Sequence, residues 1–213
     1  MSRFPVPAAD AASPFQTEII IRRSRFLTHC AHTPGMEAAR AFVEQIRTRH
    51  ADATHNCWAF VAGPPGHSGQ VGFSDDGEPH GTAGRPMLQV LLHCGVGEVT
   101  MVVTRWFGGV KLGTGGLVRA YTTATARALE AAEVVTVRSV VELEVTVDYS
   151  LYERAALLIQ AAGAKLADPQ FTDRVTLRWQ MPEGTEPPLL EQLRELTRGG
   201  AQVSVSQPFY APF

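Results

Sequence analysis

The segment TRWFGGVKLGTGGLVRAY, Thr104 to Tyr121, holds five glycines, two arginines, one lysine and two adjacent aromatics. Backbone N–H groups converge on an anion only where side chains leave room, and glycine both clears the approach and reaches positive φ. Gly108, Gly109, Gly113, Gly115 and Gly116 run into a helical pattern, whose first N–H groups and dipole favour negative charge. Arg105, Lys111 and Arg119 add cationic donors, and Thr114 adds a hydroxyl. The chemistry implied is a cradle for a phosphate or a nucleic-acid backbone. The alternative is a tight strand-to-helix connection packed on a neighbouring sheet. Standard nucleotide motifs are missing: Gly108 to Gly113 has P-loop spacing, but Thr114 stands where lysine is required. Val118 stands where a Rossmann pattern starting at Gly113 needs its third glycine. Trp106 and Phe107 can stack on bases or pack the loop down, and one exposed and one buried ring is expected.

A second polar constellation is SDDGEPHGTAG, Ser74 to Gly84. Asp75, Asp76 and Glu78 crowd together with His80 nearby. Such carboxylates repel unless solvent, cations or a helix N-terminus relieves them. They read as a hard-cation or general-base site, or as a turn whose side chains bond their own backbone. At least two of the three are expected to line a cleft shared with Arg105 or Lys111. His55, ahead of the run NCWAF, reads first as a structural hydrogen-bonding group and is kept as a candidate ligand contact. Arg25 and Phe26 either brace a loop or reach a ligand. No serine lies in a nucleophile elbow and no Cys/His spacing suits zinc. No catalytic residue is assigned, and neither a metal nor a cofactor is expected.

These residues need elements to hold them. Two β-rich runs, Thr17 to Ile21 and Phe26 to Ala31, flank the basic turn RRSR and predict paired strands. Pro34 and Gly35 open a helix with Met36, Ala39, Val43 and Ile46 on its apolar face. NCWAFVAG and QVGF predict strands around the loop PPGHSG. Pro86 suits a first helical turn; Met87, Leu91 and Cys94 mark that helix's core face, and Gly95 stops it. EVTMVVT is a buried strand, and a helix follows from about Gly116 to Glu133. Beyond Arg138 the pattern is cleaner. Val141, Leu143, Val145 and Val147 alternate with polar residues, then come a helix through Leu151, Ala155, Leu158 and Ala162 and a hairpin from AKLADPQF and RVTLRWQM. A helix through Leu189, Leu193 and Leu196 and a last strand AQVSVSQ complete a βαββαβ order, that of a ferredoxin-like fold. The two parts are expected to join near residues 134–139.

The chain has 213 residues and a formal net charge of -2, which excludes polybasic or polyacidic character as a whole. Residues 1–138 carry 13 Lys+Arg against 11 Asp+Glu, a balance of +2, whereas 139–213 carry 6 against 10, a balance of -4. The basic loop therefore lies in the half better suited to phosphates. Residues 1–16 read as a flexible leader, without the apolar stretch of a signal peptide. No apolar run approaches the roughly 20 residues of a membrane helix. Cys30, Cys57 and Cys94 sit in apolar settings and read as buried free thiols. A cytoplasmic protein is expected.

The motifs SRF, ATHNCWAF, SDDGEPHGTAGRPML and VVTRWFGGVKLGTGGLVRAY resemble the bacterial YigZ-like branch of the IMPACT family. The resemblance implies an α+β chain. Residues 17–135 would form an IMPACT-type N-terminal domain with the ribosomal-protein domain 2-like fold, as in domain IV of elongation factor G. Residues 139–213 would form the ferredoxin-like domain, similar to domain V of that factor. Eukaryotic members regulate translation by competing for a ribosome-associated activator of a stress kinase, and nucleic-acid binding has been suggested for bacterial ones. The resemblance thus implies a translation-regulating binding protein whose partner is RNA or a ribosome-associated protein. The alternative is an enzyme acting on a small phosphorylated molecule in the same cleft. His55, Asp75, Asp76, Glu78, Arg105, Lys111 and Arg119 stand at family motif positions, and Trp106 replaces a more usual tyrosine. Some relatives carry a peptidase label, for which this sequence has no metal-binding or nucleophile constellation. The loop does not reproduce that of galactokinase-type kinases.

Overall fold

A computed structural model describes residues 3–213; Met1 and Ser2, which begin the expected leader, lie outside the described residues. Its described elements comprise five helices and two antiparallel sheets. The chain divides into two compact units, one of Phe4–Thr136 and the other of Val137–Phe213 together with Arg3, and each is described separately.

The first unit takes β1 (Arg3–Pro7) from Phe4 onward, then β2 (Phe15–Ile21), β3 (Ser24–His32), α1 (Gly35–Arg49), β4 (His55–Val61) and β5 (Val71–Ser74). It continues through α2 (Gly84–His93), β6 (Val99–Trp106) and α3 (Thr114–Ala131). Its sheet has the order β2-β3-β6-β4-β5, with every neighbouring pair antiparallel. The alternating apolar residues of β3, β4 and β6 face α2 and α3. Phe26, Cys57, Met87, Leu91, Met101 and Tyr121 fill the core between them. On other faces of the sheet, Phe42, Val43 and Ile46 of α1 pack with Val102.

The leader expectation needs correction. Arg3–Pro7 is a strand, with Phe4 at 4% exposure and Val6 at 0%. Pro5 O accepts from Gly97 N, and Ala8 N donates to Glu133 O. Two prolines and short length hid this strand from an alternation reading, but Phe4 and Val6 bury like any two-residue periodic pair. The RRSR turn is a two-residue hairpin loop: Ile21 pairs with Ser24, and Arg22 and Arg23 have φ of 45° and 68°.

The second unit is built from β7 (Val134–Val147), which enters from the first unit, then α4 (Tyr149–Ala161), β8 (Lys165–Leu166), β9 (Gln170–Phe171) and β10 (Val175–Pro182). It closes with α5 (Pro187–Leu196), β11 (Val203–Val205) and β12 (Phe209–Pro212). β10 pairs antiparallel with β7 and β8, and β11 pairs antiparallel with β7. The core joins Leu143, Val145, Leu177 and Trp179 of the sheet to Ile159 of α4 and Leu193 of α5. The expected last strand, β11, is followed by another. β12 pairs with Val137–Val140, so the sheet extends across Arg138.

Candidate functional site

The acidic segment folds as a turn and a helix cap. Asp76 and Gly77 have φ of 41° and 85°, and Glu78 N donates to Asp75 O at 2.9 Å. Two successive left-handed residues across such a bond make the Asp-Gly turn that joins adjacent chain segments tightly. The Asp75 carboxylate then accepts from Gly81 N at 2.7 Å and from Ala83 N and Gly84 N at 2.9 Å each. Ala83 is the residue preceding α2, so Asp75 satisfies N–H groups that the helix start leaves without partners. Burial pushes the Asp75 pKa up, but these three donors outweigh it and hold the carboxyl below its ordinary value. Asp76 turns the other way: it accepts from Asn56 N at 2.6 Å and meets Arg47 at 3.5 Å.

Glu78 enters the interior. Its Oε1 receives Arg105 Nη1 at 2.5 Å and Tyr121 Oη at 2.9 Å. Arg105 also donates to Ser24 Oγ at 3.1 Å, which in turn accepts from Gly108 N at 3.3 Å. The Cys57 thiol lies 3.3 Å from Tyr121 Oη and 3.0 Å from Asp75 O. Burial, the largest cause, raises the pKa of both Tyr121 and Cys57, so both stay protonated. His55 pairs in register with Arg105; its Nδ1 is 2.8 Å from Asp76 O and its Nε2 is 3.8 Å from Glu78 Oε2. The expectation of two carboxylates sharing a cleft with Arg105 or Lys111 is therefore corrected to one, Glu78. Local backbone donors captured Asp75 and Asp76 first.

The glycine-rich loop leaves β6 above this pair. Gly108 lies against the β2–β3 turn so closely that an added Cβ would stand 2.0 Å from Arg23 C and O. Gly113 precedes α3 with φ 73°, and no side chain among the described residues caps that helix. Thr114 and Gly115 are exposed, and a Cβ on Gly115 would meet nothing within 4 Å. The helix starts two residues before the expected Gly116 because Gly113 supplies the left-handed entry. Gly109 is also left-handed, and Gly116 sits against Leu112.

Lys111 shares a groove with Thr114, Arg22 and Arg119 share one with Gly116, and Arg23 of the hairpin turn neighbours Gly108; all four side chains are exposed. Among the described residues none of the four forms an ion pair, whereas Arg25, Arg47 and Arg105 each do. Arg22 and Arg119 line one small groove of about 140 Å³ with Leu112 and Gly116. In sequence, RRSR shows only a basic turn between two strands. Its proximity to the loop is set by the β3–β6 register, in which Arg25 pairs with Trp106. Of the two aromatics, Phe107 is 47% exposed. Trp106 is partly buried, donates to Asp52 at 2.8 Å and lies under Arg25 at 4.5 Å. Phe26 is buried and Arg25 pairs with Glu18, so SRF braces the hairpin.

Among the described residues no group of three His, Cys, Asp or Glu could hold a metal ion. Cys30 and Cys57 are buried and Cys94 is partly so, all as free thiols.

With this geometry in hand, residues 22–129 match the family model of the Impact N-terminal domain, and 145–199 match a domain of unknown function, DUF1949. The chain is 44% identical to the IMPACT family member YigZ of Escherichia coli, over 90% of this chain and 94% of that protein. It is 33% identical to the IMPACT family member YvyE of Bacillus subtilis, over 91% and 88%. A crystal structure of a hypothetical protein covers 97% of this chain and 98% of its own, at 40% identity and a TM-score of 0.70.

Proposed function

Because this chain belongs to the IMPACT family, we propose that it is a translation regulator that contacts RNA through the loop Gly108–Gly116. Regulation of translation is what the family resemblance implies. The observation that carries the RNA contact is the exposed start of α3, uncapped among the described residues, with the exposed cations Lys111, Arg22 and Arg119 in the adjoining grooves and Arg23 beside Gly108, none of them ion-paired within the described residues. A phosphate there meets the open N–H groups of Thr114, Gly115 and Gly116 and the positive end of the helix dipole. The cations add charge that carries no sequence information, as backbone recognition requires.

An enzyme acting on a small phosphorylated molecule has less support. Asp75 and Asp76 are held by backbone donors and Arg47, and Glu78 Oε1 by Arg105 and Tyr121, so each carboxylate serves the fold. The same proposal assigns 17–135 and 139–213 to two domains. The sheet order β11-β7-β10-β8 supports a ferredoxin-like reading of the second. The cytoplasm is the compartment this function requires, and no described helix is long and apolar enough to cross a membrane.

The test is titration of single-stranded RNA across a salt series, paired with thermal unfolding. Lys111→Ala should weaken binding and reduce the salt slope by about one unit. Gly115→Val should weaken binding at nearly unchanged stability, because its side chain enters open space. Wild-type protein that ignores RNA, or two variants that bind as well as wild type, would remove the proposal.

A further inference from the structure

Below the loop lies a cavity of about 370 Å³ that contact with phosphates alone leaves unused. Pro79, Phe107, Leu112 and Leu117 give it apolar walls, while Glu78 and Arg105 also line it. Lys111 and Thr114 connect it to the basic rim. Arg105 is only 4% exposed, and its Nε–H has no partner among the described residues. A buried donor left in that state is expensive. Glu78 Oε1 is occupied twice, but among the described residues Oε2 accepts no hydrogen bond, and His55 Nε2 stands 3.8 Å from it. The cavity thus combines hydrocarbon walls with a carboxylate oxygen that still has capacity, while the Arg105 Nε–H lies beneath its surface.

Three occupants can be compared on this chemistry. An aliphatic or phenyl side chain would suit the walls and leave Glu78 Oε2 unmatched. A phosphate would suit the arginine, but Glu78 already neutralises that charge and its carboxylate would repel the anion. An uncharged planar ring with a hydrogen-bonding edge fits both. Phe107 is half open for stacking, and Arg105 Cζ lies 5.6 Å from its ring centroid. A nucleobase has this form, and its attached phosphate would lie at the start of α3 beside Lys111.

We propose that this cavity is a base pocket, which takes one unpaired nucleobase of the bound strand while the flanking phosphates rest on α3 and the Arg22–Arg119 groove. This rests on the RNA reading above. The same chemistry is presented by a free mononucleotide, and the test separates the two.

The experiment uses the full chain and a single-stranded RNA 12-mer carrying 2-aminopurine at successive positions. Emission should rise on binding at one or more positions, as the base leaves its stack. Phe107→Ala should lower affinity about 5- to 150-fold, the loss typical of one stacked base, with an unchanged salt slope. Phe107→Tyr should retain binding, and thermal unfolding of both should match wild type because the side chain is half exposed. RNA bound with a normal salt slope, but with constant emission at every position and wild-type affinity for Phe107→Ala, would overturn the pocket and leave the backbone contact standing. If the wild type binds no RNA, nucleoside monophosphates are titrated instead. Binding that Phe107→Ala abolishes would support the pocket as a free-nucleotide site and end the strand reading. Failure of every mononucleotide would overturn both.

Discussion

The starts of α2 and α3 pose the same physical problem and solve it in opposite ways. Each helix begins with N–H groups that have no intrahelical partner. At α2 the start is buried: Ala83 is 0% exposed, and the chain supplies Asp75 as acceptor. At α3 the start is exposed and no described side chain caps it. A buried helix start must carry its own anion, whereas an exposed one can leave that place to solvent or a ligand. Acidic residues beside a helix therefore mark internal satisfaction here, and the glycine-rich start without them marks the surface open to an anion.

The largest test of this contrast concerns Glu78, the remaining acidic residue. Glu78→Gln leaves the Arg105 charge buried and unpaired, and should cost about 3–5 kcal/mol, measured by urea unfolding. A loss below about 1 kcal/mol would mean that the pair does not hold the loop to the sheet.

Acid unfolding sharpens the contrast next, once a background is separated. His29 is fully buried, 3.3 Å from His50. Burial, followed by His50 and Arg49, lowers its pKa from 6.5 to about 4. The unfolded chain then binds the extra proton first, so stability falls as pH drops from 6.5 to about 4, by on the order of 3 kcal/mol. His29→Gln should flatten that limb. The Asp75 limb lies lower: its stabilisation is complete above the ordinary carboxylate pKa of 3.8 and disappears as pH falls through the depressed folded value. At neutral pH, Asp75→Ala should cost about 2 kcal/mol, with RNA affinity unchanged. Lost affinity at full stability would place Asp75 in the ligand site instead.

The smallest effect comes from giving α3 what α2 has. Thr114→Asp should stabilise the fold by about 0.3–1 kcal/mol, as a carboxylate at a helix start does. It should weaken RNA binding at the same time, because it occupies the anion's place. Thermal unfolding and RNA titration on the same sample read both signs. Unchanged or tighter binding would break the contrast.

Much of the fold was legible because burial and periodicity coincide. Val141, Leu143, Val145 and Val147 alternate and are buried, and Ala39, Val43 and Ile46 share the inner face of α1. β1 and β12 were missed because each is short and carries proline, and both become strands only through partners distant in sequence. The residue types of the site were legible, but their assignment was not. Asp75, Asp76 and Glu78 look equivalent in sequence and diverge in space, toward a helix start, a strand amide and a buried arginine. Arg22 and Arg23 reach the loop only through strand register, a relation that local spacing does not encode.

Gly108 has a consequence for how the loop moves. Its backbone rests on Arg23, and its N–H reaches Ser24, so this end of the loop is tied to the β2–β3 hairpin. The other end passes through Gly113 into α3. Only the short stretch between them is free to pivot, which makes a wide-opening lid mechanically unavailable. Ordering a free residue costs about 1–2 kcal/mol of conformational entropy, and here most of that cost is met during folding rather than on binding. Ligand arrival should accordingly leave amide hydrogen exchange at Ser24 and Gly108 nearly unchanged and confine new protection to residues 109–116.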